Sequence, residues 1–296
     1  MAEKFILETP WIGNNNVANF TLSTLELTHL PTRYANILRD SYDVLFKFEL
    51  EYQKCKLEYE GIQETNSFCF VVSADAYELK NPSRSYYSLI FNASNGFPEL
   101  TFGFPFYFMM KTVEEMAAKL GSVYFTVGHE IGHTLIKGKD DIVQTYFSQE
   151  AVDCIQDQFN STCTMFKETS CETTDSQIDE NGADVFALQI AYTLLEEHYG
   201  ARLKDVYEPL GITYQQLFFY SIAPFFCTGD LIEIKYENGD IKKPNTHASD
   251  NVRINVLANH PGFKDAFQCS EDSRMMKSAT KYCRIYGEDA PLNKRR

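Results

Sequence analysis

The segment VGHEIGHTL, from Val127 to Leu135, constrains this chain more than any other stretch. If the segment is a helix, His129 and His133 lie four residues apart on one face, one turn above the other. Two imidazoles at that spacing can bind one metal ion, and Glu130 between them can act as a general base on water. The pattern is short, and taken alone it fits two ordinary helix histidines equally well. A metal site therefore needs a third ligand from elsewhere in the chain.

Two acidic residues in the segment DENGAD, Glu180 and Asp184, are also four residues apart, and one of them can supply that ligand. They lie near the start of a helix predicted over 176–200. Two histidines, one glutamate and a water complete the coordination of a catalytic zinc, so we predict His129, His133 and Glu180 as its ligands. Asp184, one turn further on, is expected to accept the outer N–H of a ligand histidine. Alone, the acidic pair would indicate only a helix start stabilised by the helix dipole.

A third group of polar residues lies downstream in THASDNVRINV, which contains His247 and Arg253. Hydrolysis of an amide creates an oxyanion, and a histidine donor is a common way to stabilise it. An arginine can hold a substrate carbonyl with two parallel hydrogen bonds. On spacing alone, a capping histidine and a surface arginine explain the segment as well.

Composition limits the compartment and the partners. The chain has 296 residues and a formal net charge of −14, which disfavours nucleic acid as a partner. Its eight cysteines form no C-x-x-C pair, so disulfides are expected rather than a thiolate metal site. The triplets at Asn19 and Asn160 are glycosylation acceptors. We therefore expect an oxidising compartment, although the N-terminus lacks a secretory signal and no apolar run is long enough to span a bilayer.

The periodicity of the chain predicts a mainly helical α+β fold. Apolar positions recur at helical spacing over 34–60 and again over about 213–226. The aromatic and β-branched stretch 86–108 predicts a small β element before the first motif. The sequence TVEE at 112–115 has the form of a capping box that opens a helix, with an interruption expected at Gly121.

The four motifs VGHEIGH, ENGAD, HASDNVRIN and FQC…YCRIYG follow one another in a fixed order. In that order they resemble the C-terminal catalytic domain of the neprilysin-type (M13) zinc metallopeptidases, from about residue 86 to the end. The resemblance implies a gluzincin-type fold, one zinc ion per chain, peptide substrates and an extracellular or cell-surface location. It implies the same roles for His129, His133, Glu180, Glu130 and Asp184.

The resemblance also implies roles that the residues alone do not establish. His247 would stabilise the oxyanion, and Arg253 would hold the peptide backbone together with Asn92 and Ala93 of the segment LIFNASNGF. Cys154 would pair with Cys283. The family cysteines that match Cys227 and Cys269 pair near the N-terminus, and whether Cys55 and Cys69 substitute for those partners stays open.

The sequence departs from the family in several places. The family has an aspartate that helps to hold the second histidine, and Ile136 stands in its place here. Tyr286 replaces a tryptophan. Residues 1–80 are expected to form an N-terminal helical segment rather than the family's large lobe, with the catalytic domain over 81–296, and we expect an active-site cleft open to solvent.

These observations predict a zinc-dependent metalloendopeptidase in which Glu130 is the general base. The first alternative is a weakened or inactive relative that binds peptides without cleaving them. The second, a metal-free helical interaction module, requires the histidines and carboxylates to coincide by chance. The sequence leaves the oligomeric state undetermined. His29, His198 and His260 have no partner motif, and we assign them no role.

Overall fold

The computed structural model describes five long segments, which are 112–136, 149–166, 175–226, 247–279 and 281–287. Before residue 111 it describes two short strands and some short stretches and single positions. The chain forms two compact units, one of residues 27–112 and the other of residues 1–26 and 113–296. The described residues are mainly helical with a small β component, so the predicted α+β class is confirmed. The domain boundary near residue 80 and the open cleft stay predictions. Most of the helix predicted over 34–60 lies outside the described residues and also stays a prediction.

The unit of residues 27–112 contains the predicted β element. Strands β1 (Ala93–Gly96) and β2 (Glu99–Phe102) pair antiparallel as a hairpin, with Ala93 opposite Phe102. The same unit holds a disulfide between Cys55 and Cys69. Because these two cysteines pair with each other, neither is the partner of Cys227 or Cys269. Cys269 is a free, partly buried thiol.

In the larger unit, the chain leading to the first motif is one continuous helical rod. Helix α1 (Met116–Lys119) passes through a π-helical turn, Leu120–Tyr124, into α2 (Phe125–Ile136). The predicted start at Thr112 is wrong, because Glu115 is the N-cap and accepts a hydrogen bond from Ala117 N at 3.4 Å. The interruption expected at Gly121 takes the form of the π-helical turn. A Cβ at this glycine would lie 2.2 Å from the backbone oxygen of Phe218, so only glycine permits this approach.

The centre of the larger unit is the long helix α4 (Asp175–Tyr199), which follows α3 (Gln149–Met165). The boundaries predicted from sequence, 176–200, agree to within one residue. Its middle section is buried on every side, since each residue from 181 to 192 is buried. A helix buried all round lies between other elements rather than on the surface. Helix α4 therefore contributes to both hydrophobic clusters of this unit.

Two short strands and another helix follow α4. Strands β3 (Val206–Tyr207) and β4 (Ile212–Thr213) pair antiparallel, and α5 (Tyr214–Ile222) begins directly after them. A capping box fixes its start, because the side chain of Thr213 accepts from Gln216 N and the Gln216 side chain accepts from Thr213 N. The helix ends in a 3₁₀ turn, Ala223–Phe226.

The C-terminal part packs mainly against α3 and α5. Helices α6 (Asp250–Val256), α7 (Pro261–Phe267) and α8 (Arg274–Ser278) are followed by the extended segment 281–287. The disulfide between Cys154 and Cys283 joins this segment to α3, which confirms the predicted pair. The side-chain amide of Gln189 in α4 donates to Tyr286 O and accepts from Ile285 N. This amide therefore attaches the end of the described chain to the central helix.

Candidate metal centre

A close contact between two helices of this unit brings the two sequence motifs together. Helices α2 and α4 pack through small residues that are four apart on each helix. A Cβ at Gly128 would lie 3.1 Å from the Cα of Ala187, and a Cβ at Gly132 would lie 2.9 Å from the Cα of Ala183. Because neither position has room for a side chain, the backbones approach closely, and the histidines of one helix face the carboxylates of the other.

His129 is oriented by Asp184. Its Nδ1 donates to Asp184 Oδ1 at 2.9 Å, which directs Nε2 towards Glu180. Burial lowers the pKa of His129, but the hydrogen bond to Asp184 and the contact with Glu180 outweigh burial and raise the pKa to about 9. The surroundings of this imidazole therefore favour a cation, either a proton or a metal ion.

Asp184 is in turn held by Arg253. The guanidinium makes a bidentate pair with the carboxylate, Nε to Oδ2 at 2.7 Å and Nη2 to Oδ1 at 2.8 Å. Burial opposes ionisation of Asp184, but the charge of Arg253 and the hydrogen bond from His129 lower its pKa well below the usual range. The guanidinium also lies over the rings of Phe226 and Phe225, with its Cζ 4.7 Å and 5.7 Å from the ring centroids.

The sequence did not predict that two phenylalanines belong to the site. Phe225 and Phe226 follow α5 in the segment APFF, and Phe225 also lies 6.1 Å from the ring of His129. The only sequence signal was a pair of aromatic residues directly after a helix, which is typical of any apolar core. Their contacts with Arg253 form only in the folded chain.

Three imidazole nitrogens converge on one carboxylate oxygen at the centre of the site. Glu180 Oε2 lies 3.2 Å from His129 Nε2, 3.2 Å from His133 Nε2 and 2.9 Å from His247 Nε2. The two nitrogens of His129 and His133 are 3.1 Å apart. The ligand atoms of His129, Glu180 and His247 all lie within 4.8 Å of one another. The structure therefore gathers His247 into the same cluster as the predicted ligands.

The donor set fits a zinc ion. Zinc binds histidine nitrogen and carboxylate oxygen at about 2.0–2.2 Å, so tetrahedral donors stand about 3.3–3.6 Å apart. The separations of 2.9–3.2 Å around Glu180 Oε2 approach that edge length. Burial opposes ionisation of Glu180, yet the three imidazoles lower its pKa well below the usual range. Glu180 Oε2 is nevertheless buried without a contact that meets hydrogen-bond geometry, which is what a shared cation between these atoms would explain.

His133 lacks the support that His129 has. Its Nδ1 is buried and has no hydrogen-bond partner in the described part of the chain. Ile136 stands one helical turn further along α2, at the position of the family's aspartate. The two histidines therefore offer nitrogens to the same centre, but only the outer nitrogen of His129 is oriented by a carboxylate.

Glu130 lies beside the cluster. It is 5 % exposed, and burial raises the pKa of its carboxyl, with a further upward contribution from Glu180 and opposing ones from His129, His133 and His247. A buried carboxylate with a raised pKa is a stronger base than an exposed one. It feels the charges of Glu180 and of the three imidazoles around Glu180 Oε2, so it belongs to the same site.

The remaining predicted residues divide into two groups. Arg253 and Asp184 join the cluster, and the guanidinium points at Asp184 with two of its nitrogens. Ala93 begins strand β1 in the other unit, and Asn92 lies outside the described residues. Asn160 is exposed on α3, and Asn19 lies outside the described residues. The substrate and glycosylation roles assigned to these four residues remain predictions.

Comparison with known proteins identifies a family. The family model described as peptidase family M13 matches residues 96–283, which is more than half of the chain. No curated protein and no solved structure matches the chain. The family and the disulfides are consistent with an extracellular or cell-surface location. No helix among the described residues has the length and apolar character needed to cross a membrane.

Proposed function

The chain belongs to peptidase family M13, which indicates metallopeptidase activity, and we propose that it is a zinc-dependent endopeptidase that cuts peptide bonds. The observation that carries the proposal is the convergence of His129, His133 and Glu180, whose donor atoms lie 3.1–3.2 Å apart. These three residues would hold the metal. A bound zinc ion supplies a Lewis acid that polarises water and the scissile carbonyl.

The other residues of the site act on the peptide and on protons. Glu130 accepts a proton from the attacking water, and its burial and raised pKa support that role. His247, whose side chain is 46 % exposed, donates to the oxygen on which charge develops. Asp184 keeps Nδ1 of His129 protonated, which would leave Nε2 of His129 available to bind the metal.

Arg253 has two functions in this proposal. Its Nε and Nη2 hold Asp184 in place, and it is 8 % exposed, so its first role is to position the carboxylate that orients His129. The family resemblance also implies a substrate role for Arg253, and this role would use the part of the guanidinium other than Nε and Nη2. Replacement of Arg253 would therefore disturb the metal as well as the peptide.

The test compares two variants. Glu130→Gln preserves size and removes the base, so we expect one zinc ion per chain to remain while turnover falls by about two to four orders of magnitude. Glu114→Gln, an exposed glutamate before α1, is the matched control and should leave turnover unchanged. Hydrolysis of unstructured peptides is measured before and after chelation, with zinc added back.

Two results would overturn the proposal. Comparable hydrolysis by the Glu130→Gln variant would remove the general base from the mechanism. A wild-type protein that holds zinc and binds peptides but never cuts them would support the alternative of a non-cleaving relative.

A further inference from the structure

One buried residue of the motif HASDNVRIN has no role in the proposed function. Asn255 lies two residues after Arg253 in α6 and is 4 % exposed. A buried side-chain amide loses its contacts with water and therefore needs hydrogen-bond partners inside the protein. The partners of Asn255 indicate what this amide does.

These partners belong to two other helices. The Nδ2 of Asn255 donates to Ser278 Oγ at 2.5 Å, at the end of α8, and to Thr162 Oγ1 at 3.4 Å, in α3. Ser278 is 1 % exposed and Thr162 is fully buried. The Ser278 hydroxyl donates its own proton to Met275 O at 2.8 Å, so its oxygen accepts from Asn255. This network fixes the amide with its nitrogen facing Ser278.

The two helices that accept from this amide are themselves joined, whereas α6 is short. Ser161 Oγ in α3 donates to Ser278 O at 2.8 Å, and the disulfide between Cys154 and Cys283 joins α3 to the segment after α8. Helix α6 has only seven residues, and its N-cap residue, Ser249, does not cap the helix with its side chain. A helix this short is not stable alone, so contacts with its neighbours set its rotation.

We propose that Asn255 is a positioning residue of the metal centre, because it sets the rotation of α6 that brings Arg253 to Asp184. The proposal rests on the proposed function, since it concerns the same site. Two residues along an α-helix are about 200° apart around its axis, so Arg253 and Asn255 leave α6 on nearly opposite sides. A rotation of α6 that broke the contact of Asn255 with Ser278 would therefore also displace the guanidinium.

The contacts of Arg253 leave little room for such a displacement. Its Nε and Nη2 are 2.7 Å and 2.8 Å from the two carboxylate oxygens of Asp184, and both side chains are 8 % exposed. Asp184 in turn accepts from Nδ1 of His129 at 2.9 Å. The influence of Asn255 thus reaches a predicted metal ligand through Arg253 and Asp184.

The first test follows the Nε–H proton of Arg253 by NMR in the metal-free full chain. This proton is donated to Asp184 Oδ2 in a buried pair, so its exchange with water requires the pair to open. We expect Asn255→Ala to speed this exchange by about tenfold or more, and Ser278→Ala to act in the same direction. Each variant removes the same hydrogen bond from one end, so either one decides the test if the other does not fold.

The matched control is Gln158→Ala. Gln158 is a second buried amide, 1 % exposed, but it donates to Lys281 O at 2.7 Å and not to α6. Its loss should lower the stability to denaturant, as Asn255→Ala does, while the Arg253 proton keeps its wild-type exchange rate. Wild-type exchange in Asn255→Ala or Ser278→Ala, or equally fast exchange in the control, would overturn the positioning role.

The second test measures zinc affinity by chelator competition. We expect Asn255→Ala to weaken zinc binding by about three- to tenfold, less than the loss of a carboxylate that contacts a ligand histidine. In an Arg253→Met background the same substitution should cause no further loss, because Asn255 acts through Arg253. Additive losses would refute this route. A wild-type chain that binds no zinc would instead overturn the proposed function, and the exchange test on the metal-free chain does not depend on that result.

Discussion

Two histidines of this protein are almost equally buried, but only one of them is surrounded by carboxylates. His129 in α2 is 3 % exposed, and His260 at the N-cap of α7 is 4 % exposed. Carboxylates surround His129 and raise its pKa to about 9 against the effect of burial. Burial, together with the charge of Arg284, lowers the pKa of His260 to about 3.

The partners of His260 explain its neutrality. Its Nδ1 accepts a hydrogen bond from Gly262 N at 3.1 Å, and its ring lies 4.2 Å from that of Tyr192 and 4.6 Å from that of Tyr282. This histidine caps a helix and fills an apolar space. Burial therefore does not distinguish a metal ligand from a core histidine, whereas the presence of buried carboxylates does.

We expect the largest effect on the difference between these two histidines from removing the carboxylate that orients His129. Asp184→Asn keeps the shape of the side chain but removes the charge that fixes the imidazole. We expect the affinity for zinc, measured by chelator competition, to fall by about ten- to a hundredfold. Asp157→Asn, an exposed aspartate on α3, is the control. Unchanged affinity in Asp184→Asn would mean that Asp184 serves only to neutralise Arg253.

The apolar environment of His260 should make the stability of the protein depend on pH. Its pKa is about 3 in the folded chain and about 6.5 when unfolded, so the unfolded state binds more protons between these values. The contribution of His260 to the free energy of unfolding is fully present above pH 6.5 and falls by about 1.4 kcal/mol per pH unit below it.

Denaturant unfolding from pH 7.5 to pH 5 measures this slope against a His260→Gln variant, which lacks the titrating group. The wild-type protein should lose stability more steeply than the variant as the pH falls. Parallel curves would show that folding does not lower the pKa of His260. His198→Gln, which changes an exposed histidine, should reproduce the wild-type slope.

The smallest effect should come from giving His133 the support that it lacks. Ile136→Asp adds a carboxylate one helical turn after His133, and Nδ1 of this histidine has no hydrogen-bond partner among the described residues. We expect zinc affinity to rise by up to about tenfold. Thr134→Asp adds the same charge one residue after His133, a spacing at which helix side chains do not face each other, and should not raise affinity. A loss of affinity in both variants would show that any added charge near the end of α2 is harmful.

The sequence predicted the helices of this site better than the contacts between them. The four-residue spacings of His129 with His133 and of Glu180 with Asp184 fix which residues share a helix face, and α4 was predicted to within one residue. Local patterns carry that information because helix periodicity is a property of the chain itself.

The contacts between helices could not be predicted in this way. The pairing of Arg253 with Asp184 joins residues 69 positions apart, and the contact of Gly132 with Ala183 depends on how α2 and α4 pack. The approach of His247 to Glu180 likewise has no local signal, because it depends on the path of the chain between α5 and α6. The predicted start of α1 was wrong because Glu115, not Thr112, makes the capping contact.

The most direct test of the account is the zinc content of the purified protein and of its Glu180→Ala variant, measured by mass spectrometry of the metal after dialysis. Three imidazoles share Glu180 Oε2, so the loss of this side chain removes the atom that joins them. We predict one zinc ion per wild-type chain and none in the variant, with full occupancy in the control Glu196→Ala, an exposed glutamate of the same helix. Full occupancy in Glu180→Ala, or a wild-type chain that does not bind zinc, would contradict the account.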